Sequence, residues 1–148
     1  MKNLKFVKWA LPALLMSAMI LTFMPGSVQY YAKDPAMIPE GSWNFFTAPV
    51  EGMAASCLVL AGTATLTTML LAVIALCFKK NHLYKLIGWC SLVAGSFAAV
   101  PYMVATEEEL VQPNVVVLLI LLCAWLMAMY LDKKKDLQEK TEYKGPRL

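Results

Sequence analysis

Residues 52–78 read GMAASCLVLAGTATLTTMLLAVIALCF, twenty-seven positions without a single charged side chain. A helix of that length is roughly 40 Å long, against a bilayer hydrocarbon core of about 30 Å. The stretch therefore reads as one complete membrane span with about two turns to spare. Tilt alone would absorb the surplus only at about 40°, the top of the usual range. A moderate tilt, with the outermost turn at 52–55 standing in the interface beside Trp43, is the preferred reading.

Working outward, three more apolar stretches appear at 9–24, 86–105 and 115–131. The 148 residues make one domain at most, and 59% of them are hydrophobic, more than a soluble domain of this size carries. The expected fold class is all-α: a polytopic integral membrane protein with four transmembrane helices in an antiparallel bundle. The spans fall at about 6–24, 49–78, 84–105 and 113–131. Residues 26–48 form an aromatic outer loop, and 132–148 a basic cytoplasmic tail.

The first stretch follows MKNLKFVK, the positive start of a secretory signal peptide. It ends in Met24-Pro25-Gly26, a helix stop without a small-x-small cleavage site, so an uncleaved anchor is expected. Sixteen apolar residues rise only about 24 Å, which draws Phe6 and Val7 into the interface and leaves Lys8 to snorkel at its edge. Pro12 lies one turn in, where it bends a helix at modest cost. Thr47, Pro49 and Glu51 suit the start of the second span. Pro113 is placed to start the fourth.

Charge sets the orientation. Lys2, Lys5 and Lys8 precede the first span, Lys79, Lys80 and Lys85 lie between the second and third, and six basic residues follow the fourth. Twelve of the thirteen Lys and Arg residues thus fall on one side, with Lys33 alone on the other. Six of the ten acids, Asp34, Glu40, Glu51 and the run Glu107-Glu108-Glu109, lie opposite. Lys and Arg in short connections mark the cytoplasmic side, so both termini are expected in the cytoplasm of a cell membrane. The basic inner rim should attract anionic lipid, at about 1 kcal/mol per well-placed cation; no motif points to nucleic acid. Twelve lysines to one arginine is the bias of an AT-rich bacterial genome.

Polar groups inside the spans are few. Ala61, Ala64, Thr65, Thr68, Ala72 and Ala75 keep one face of the second span, and Ser91, Gly95 and Ala99 repeat the device in the third. Small-residue faces let backbones approach closely, so these two spans are expected to pack on each other. Thr63, Thr65, Thr67 and Thr68 read as hydroxyls bonded back to their own helix, the alternative being a polar pathway. Glu51 sits in a first helical turn, where dipole and interfacial water suit it; an intramembrane acid would instead suggest ion coupling. Trp43 belongs to an aromatic set with Tyr30, Tyr31, Phe45 and Phe46. The default for such a set is a belt at headgroup level, and the sharper reading a lid or docking surface.

Catalytic constellations are absent from the sequence: no Gly-x-Ser-x-Gly, no His-Glu-x-x-His, no phosphate-binding glycine loop. Cys57, Cys77, Cys90 and Cys123 all lie in apolar runs, without metal or C-x-x-C spacing. His82 has no partner at metal spacing, and the glutamate run falls short of a calcium loop. A quinone-linked disulfide-forming enzyme needs outer-loop cysteine pairs. A small multidrug exporter needs a carboxylate within its first span, and a claudin-like tetraspan two cysteines beside its loop tryptophan. None is present. The expected function is that of a non-enzymatic accessory or interaction subunit without cofactor or metal. Its partner would be another membrane protein or a second copy of the chain. The rival is a subunit of an oligomeric transporter or channel. A cysteine introduced at Ser42 should react with an impermeant thiol reagent on intact cells (spheroplasts where an outer membrane exists), and one at Gln138 should not. The reverse pattern overturns the orientation.

Overall fold

The computed structural model describes residues 2–32, 36, 40–48, 53–103 and 109–142. The elements run α1 (Lys2–Phe23), β1 (Val28–Ala32), α2 (Met53–Cys77), α3 (Leu83–Met103), β2 (Glu109–Pro113) and α4 (Val115–Glu142). Among the described residues, four helices are long and apolar enough to cross a membrane, and they pack against each other. This is the architecture of a multi-pass membrane protein.

The side chains that turn inward follow one rule. Leu11, Leu15, Ala18 and Thr22 are buried on α1, and Leu58, Ala61, Thr65, Thr68, Ala72 and Ala75 on α2. Ile87, Ser91, Ala94 and Ala98 do the same on α3, and Val117, Leu121, Ala124, Ala128 and Leu131 on α4. Steps of three and four alternate in every helix, the spacing that keeps a seam facing its neighbours at the shallow crossing of a coiled-coil-like bundle. The outward faces are just as apolar: Trp9, Ile20, Leu60, Val73, Leu86, Trp89, Leu119 and Leu126 are all exposed. A water-soluble bundle would put charge there. Here size separates the two faces: eight of the inward positions just named are alanine.

The most extensive contact is between α2 and α3, as their small residues allow. Within α3, however, the inward seam runs through Ser91, Ala94 and Ala98, and Gly95 looks toward α4. A Cβ built on Gly95 would lie 3.8 Å from the Cβ of Leu121. Strict four-residue steps gain about 40° each on a helix of 3.6 residues per turn. The row Ser91, Gly95, Ala99 therefore winds off the α2 side, and Gly95 and Ala99 end up half-buried.

The turn between α2 and α3 is closed by Lys80 N–H donating to Ala75 C=O at 3.1 Å, a Schellman-type stop. The residue this motif holds in the left-handed region is Lys79, with φ of 53°, in place of the usual glycine. Asn81 in that turn accepts a 2.9 Å hydrogen bond from Lys8 Nζ, which also lies 5.9 Å from the centre of the Tyr84 ring. The cation expected to snorkel is thus tied to the α2–α3 turn.

At the opposite end, the connections read from sequence as loops contain paired strands. β1 and β2 form a two-stranded antiparallel ribbon in which Val28 faces Pro113, Tyr30 faces Val111 and Ala32 faces Glu109. Pro113 accordingly ends a strand, and the N-terminus of α4 is capped by Asn114, whose Oδ1 accepts from Val116 N–H at 2.9 Å. α4 continues to Glu142.

Gly95→Ala should be neutral, or stabilise by up to about 1 kcal/mol through the loss of backbone freedom in the unfolded chain. Gly95→Leu should cost about 1–3 kcal/mol by overpacking against Leu121. Unfolding in detergent ranks the pair, and a reversed order would remove Gly95 from the α3–α4 seam.

Candidate functional site

The chain's polar and aromatic side chains converge beyond the end of α1. A helix leaves its last four carbonyls without intrahelical partners, which is costly near a bilayer. Met24 N–H reaches Ile20 C=O at 3.0 Å, and the segment around Asn44 supplies the rest. Phe45 N–H donates to Thr22 C=O at 3.2 Å, and Asn44 Nδ2 to Phe23 C=O at 3.2 Å. Asn44 is held in turn from its own side. Its Oδ1 accepts from Phe46 N–H at 2.9 Å and Thr47 N–H at 3.0 Å, while Thr47 Oγ1 accepts from Asn44 N–H at 3.2 Å. The Asn-x-x-Thr spacing carries that reciprocal turn.

Two phenylalanines lock the segment down. Phe45 is fully buried. Phe46 stacks on Phe23 with ring centroids 4.8 Å apart, and its ring tip lies over Gly62 of α2. A Cβ on Gly62 would stand 2.4 Å from Phe46 Cζ, so any side chain there must displace the Phe46 ring. α1 thus ends near the level of Gly62. The stretch of α2 from Met53 to Ala61, about 13 Å of helix, rises past it beside the Asn44 segment. Cys57 and Leu58 are buried along that rise.

Trp43 joins this segment to the ribbon. Its carbonyl accepts from Gly26 N–H at 2.9 Å and Val28 N–H at 3.2 Å, extending the β1–β2 pair on the Val28 side. Its ring lies against Gly41, where a Cβ would come within 3.2 Å of Cζ2; φ at Gly41 is +136°, disfavoured for any other residue. On the other strand, Tyr102 of α3 donates its hydroxyl to Pro113 C=O, and Asn114 N–H donates to Ser27 C=O at 2.8 Å. Helices α1, α3 and α4 are thereby bound to one folded cap.

Two shallow hollows open in the cap. One, of about 210 Å³, is lined by Ser27, Gln29, Tyr102, Gln112 and Asn114 among others. The second, of about 320 Å³, is lined by Tyr30, Tyr31, Ser42 and Trp43 and shares Gly26 and Gln29 with the first. Ser27 Oγ is buried without a hydrogen-bond partner among the described residues.

The positions singled out from sequence fall in different places. Ala61, Thr65, Thr68, Ala72 and Ser91 are buried in the bundle; Ala64, Gly95 and Ala99 are half-buried. Every threonine hydroxyl of the second span bonds a carbonyl of its own helix. Thr65 reaches Ala61 at 2.7 Å, Thr68 reaches Ala64 at 2.6 Å, Thr67 reaches Thr63 at 2.9 Å, and Thr63 reaches Val59 and Leu60 at 3.0 Å. Trp43 lies in the cap. Glu51, with Glu107 and Glu108, lies outside the described residues. Among the described residues no group of three His, Cys, Asp or Glu could hold a metal ion, and the four cysteines are free. Sequence reasoning passed over Asn44, Gly41 and Ser27. Only Asn44 carried a readable signal, its spacing to Thr47.

The chain matches no family model, no curated protein and no solved structure.

Gly62→Ala should destabilise the folded protein by about 1–3 kcal/mol, because the Phe46 ring must move. In a Phe46→Ala background the same substitution should be nearly neutral. A double-mutant cycle of unfolding free energies measures the coupling, and simple additivity would separate the two residues.

Proposed function

We propose that this is a bacterial cell-membrane protein with four spans of alternating direction and both termini in the cytoplasm. It acts as a non-enzymatic accessory subunit that engages another membrane protein through its outer cap. The observation that carries this reading is the investment of hydrogen bonding in the cap. Short turns would suffice to link four helices, yet the two outer connections form a ribbon, a bridge at Trp43 and a helix cap at Asn44. A rigid surface of that kind, with Tyr31 of the ribbon exposed, suits recognition by a second chain. The interior favours a structural bundle over a pathway, since the threonine hydroxyls of α2 are bonded to their own helix. At the other end Lys79, Lys80 and Lys85 are exposed, where anionic headgroups would hold the inner rim in register.

Purification of the tagged protein in mild detergent should recover a foreign membrane protein in stoichiometric amount. Tyr31→Asp should release that partner while leaving the bundle's melting temperature within a few degrees. A discrete homo-oligomer that passes ions or solutes in liposomes would instead establish a transport role.

A further inference from the structure

We propose that the two adjoining hollows of the cap form one binding site for a neutral saccharide, independent of any protein partner. The larger reaches the lower end of the usual range of about 300–1,000 Å³ for a ligand site, and the smaller adjoins it at Gly26 and Gln29. Among the described residues that line them, none is charged. The described lining residues therefore offer no counter-charge to an anionic headgroup or a cationic peptide. The lining instead combines planar amides, hydroxyls and aromatic faces.

The hydrogen-bonding capacity left over is specific. Gln29 Oε1 already accepts from Tyr31 OH at 2.5 Å, and Asn114 Oδ1 caps α4, which leaves both amide nitrogens as donors. Gln112, opposite Gln29 on the ribbon, offers a whole amide. Ser27, which lines the first hollow, adds a hydroxyl that has no partner among the described residues, as does Ser91 within the bundle. The backbone N–H and C=O of Ser27 are both paired, to Met24 and Asn114, and the residue is buried, 3% exposed. A buried hydroxyl in that state is unfavourable unless something supplies its partner. Trp43, set against Gly41, and Tyr30 bring flat rings beside these donors. Amides that pair with vicinal hydroxyls, next to aromatic faces that cover the C–H face of a pyranose ring, are the chemistry that recognises an uncharged sugar. The sugar can be free in solution or the headgroup of a glycolipid; the cap, at the end of four apolar helices, is within reach of both.

The test uses the full chain in phospholipid nanodiscs prepared without glycoside detergent. Maltose, lactose and N,N′-diacetylchitobiose are titrated calorimetrically, and vesicles with and without diglucosyl-diacylglycerol are assayed by co-flotation. Saturable binding is expected, weakened at least tenfold by Gln112→Ala and by Trp43→Ala. Ser27→Ala should weaken it as well, while leaving the unliganded protein's melting temperature unchanged or raised, because an unpaired hydroxyl is removed. Binding of free disaccharide and vesicle alike assigns the sugar ring itself; binding of the glycolipid vesicle alone assigns a membrane-anchored headgroup. The proposal is overturned if no probe binds saturably, or if binding survives all three substitutions. It is also overturned if Ser27→Ala lowers the melting temperature of the free protein, for the hydroxyl would then have a structural partner.

Discussion

A single contact, Phe45 N–H to the carbonyl of Thr22, states the constraint under which the cap end of the molecule is built. Where α1 stops, its last carbonyls lack intrahelical partners, and each must find a donor. Asn44 and Phe45 supply two of those donors from a stretch twenty residues further on. Once that stretch is pinned to the end of α1, Trp43 is placed where its carbonyl extends β1, and Phe46 is placed over Gly62. The cap is the consequence of finishing that helix.

The same constraint explains the length of α2. Its charge-free run is longer than a bilayer core requires, and its outer turns stand beside the cap, where Cys57 and Leu58 are buried. The helix serves two environments with one uninterrupted apolar surface, its inner part in the bundle and its outer part as a wall for the Asn44 segment. Gly62 marks the point where one gives way to the other.

How far the sequence could be read follows from the range of each interaction. The four helices depend on runs of about twenty apolar residues, a local property, and were readable directly. So was the closeness of α2 and α3, because alanine and glycine are conspicuous in an apolar run. Which helix each small residue faces was harder. Gly95 and Ala94 are neighbours in the chain, both are small, and only the three-four alternation of the seam separates half-buried Gly95 from fully buried Ala94. The ribbon escaped altogether. Neither VQYYA nor ELVQP is a persuasive strand alone, and the pairing that makes them strands joins segments some eighty residues apart. Ser27 was invisible for the same reason: the Asn114 N–H that pairs with its carbonyl comes from the far side of that gap.

That long-range pairing also sets an order of events. β1 emerges with α1, but its partner cannot reach it until α2 and α3 have been made and inserted. At synthesis rates of about 5–20 residues per second, the gap is about 4–16 s. For that interval β1 has one edge without its partner strand, an exposure that invites mispairing. Closure of the ribbon is therefore the late event of assembly, and it joins the first helix to the last. A chain truncated before β2 would hold three helices and half a cap.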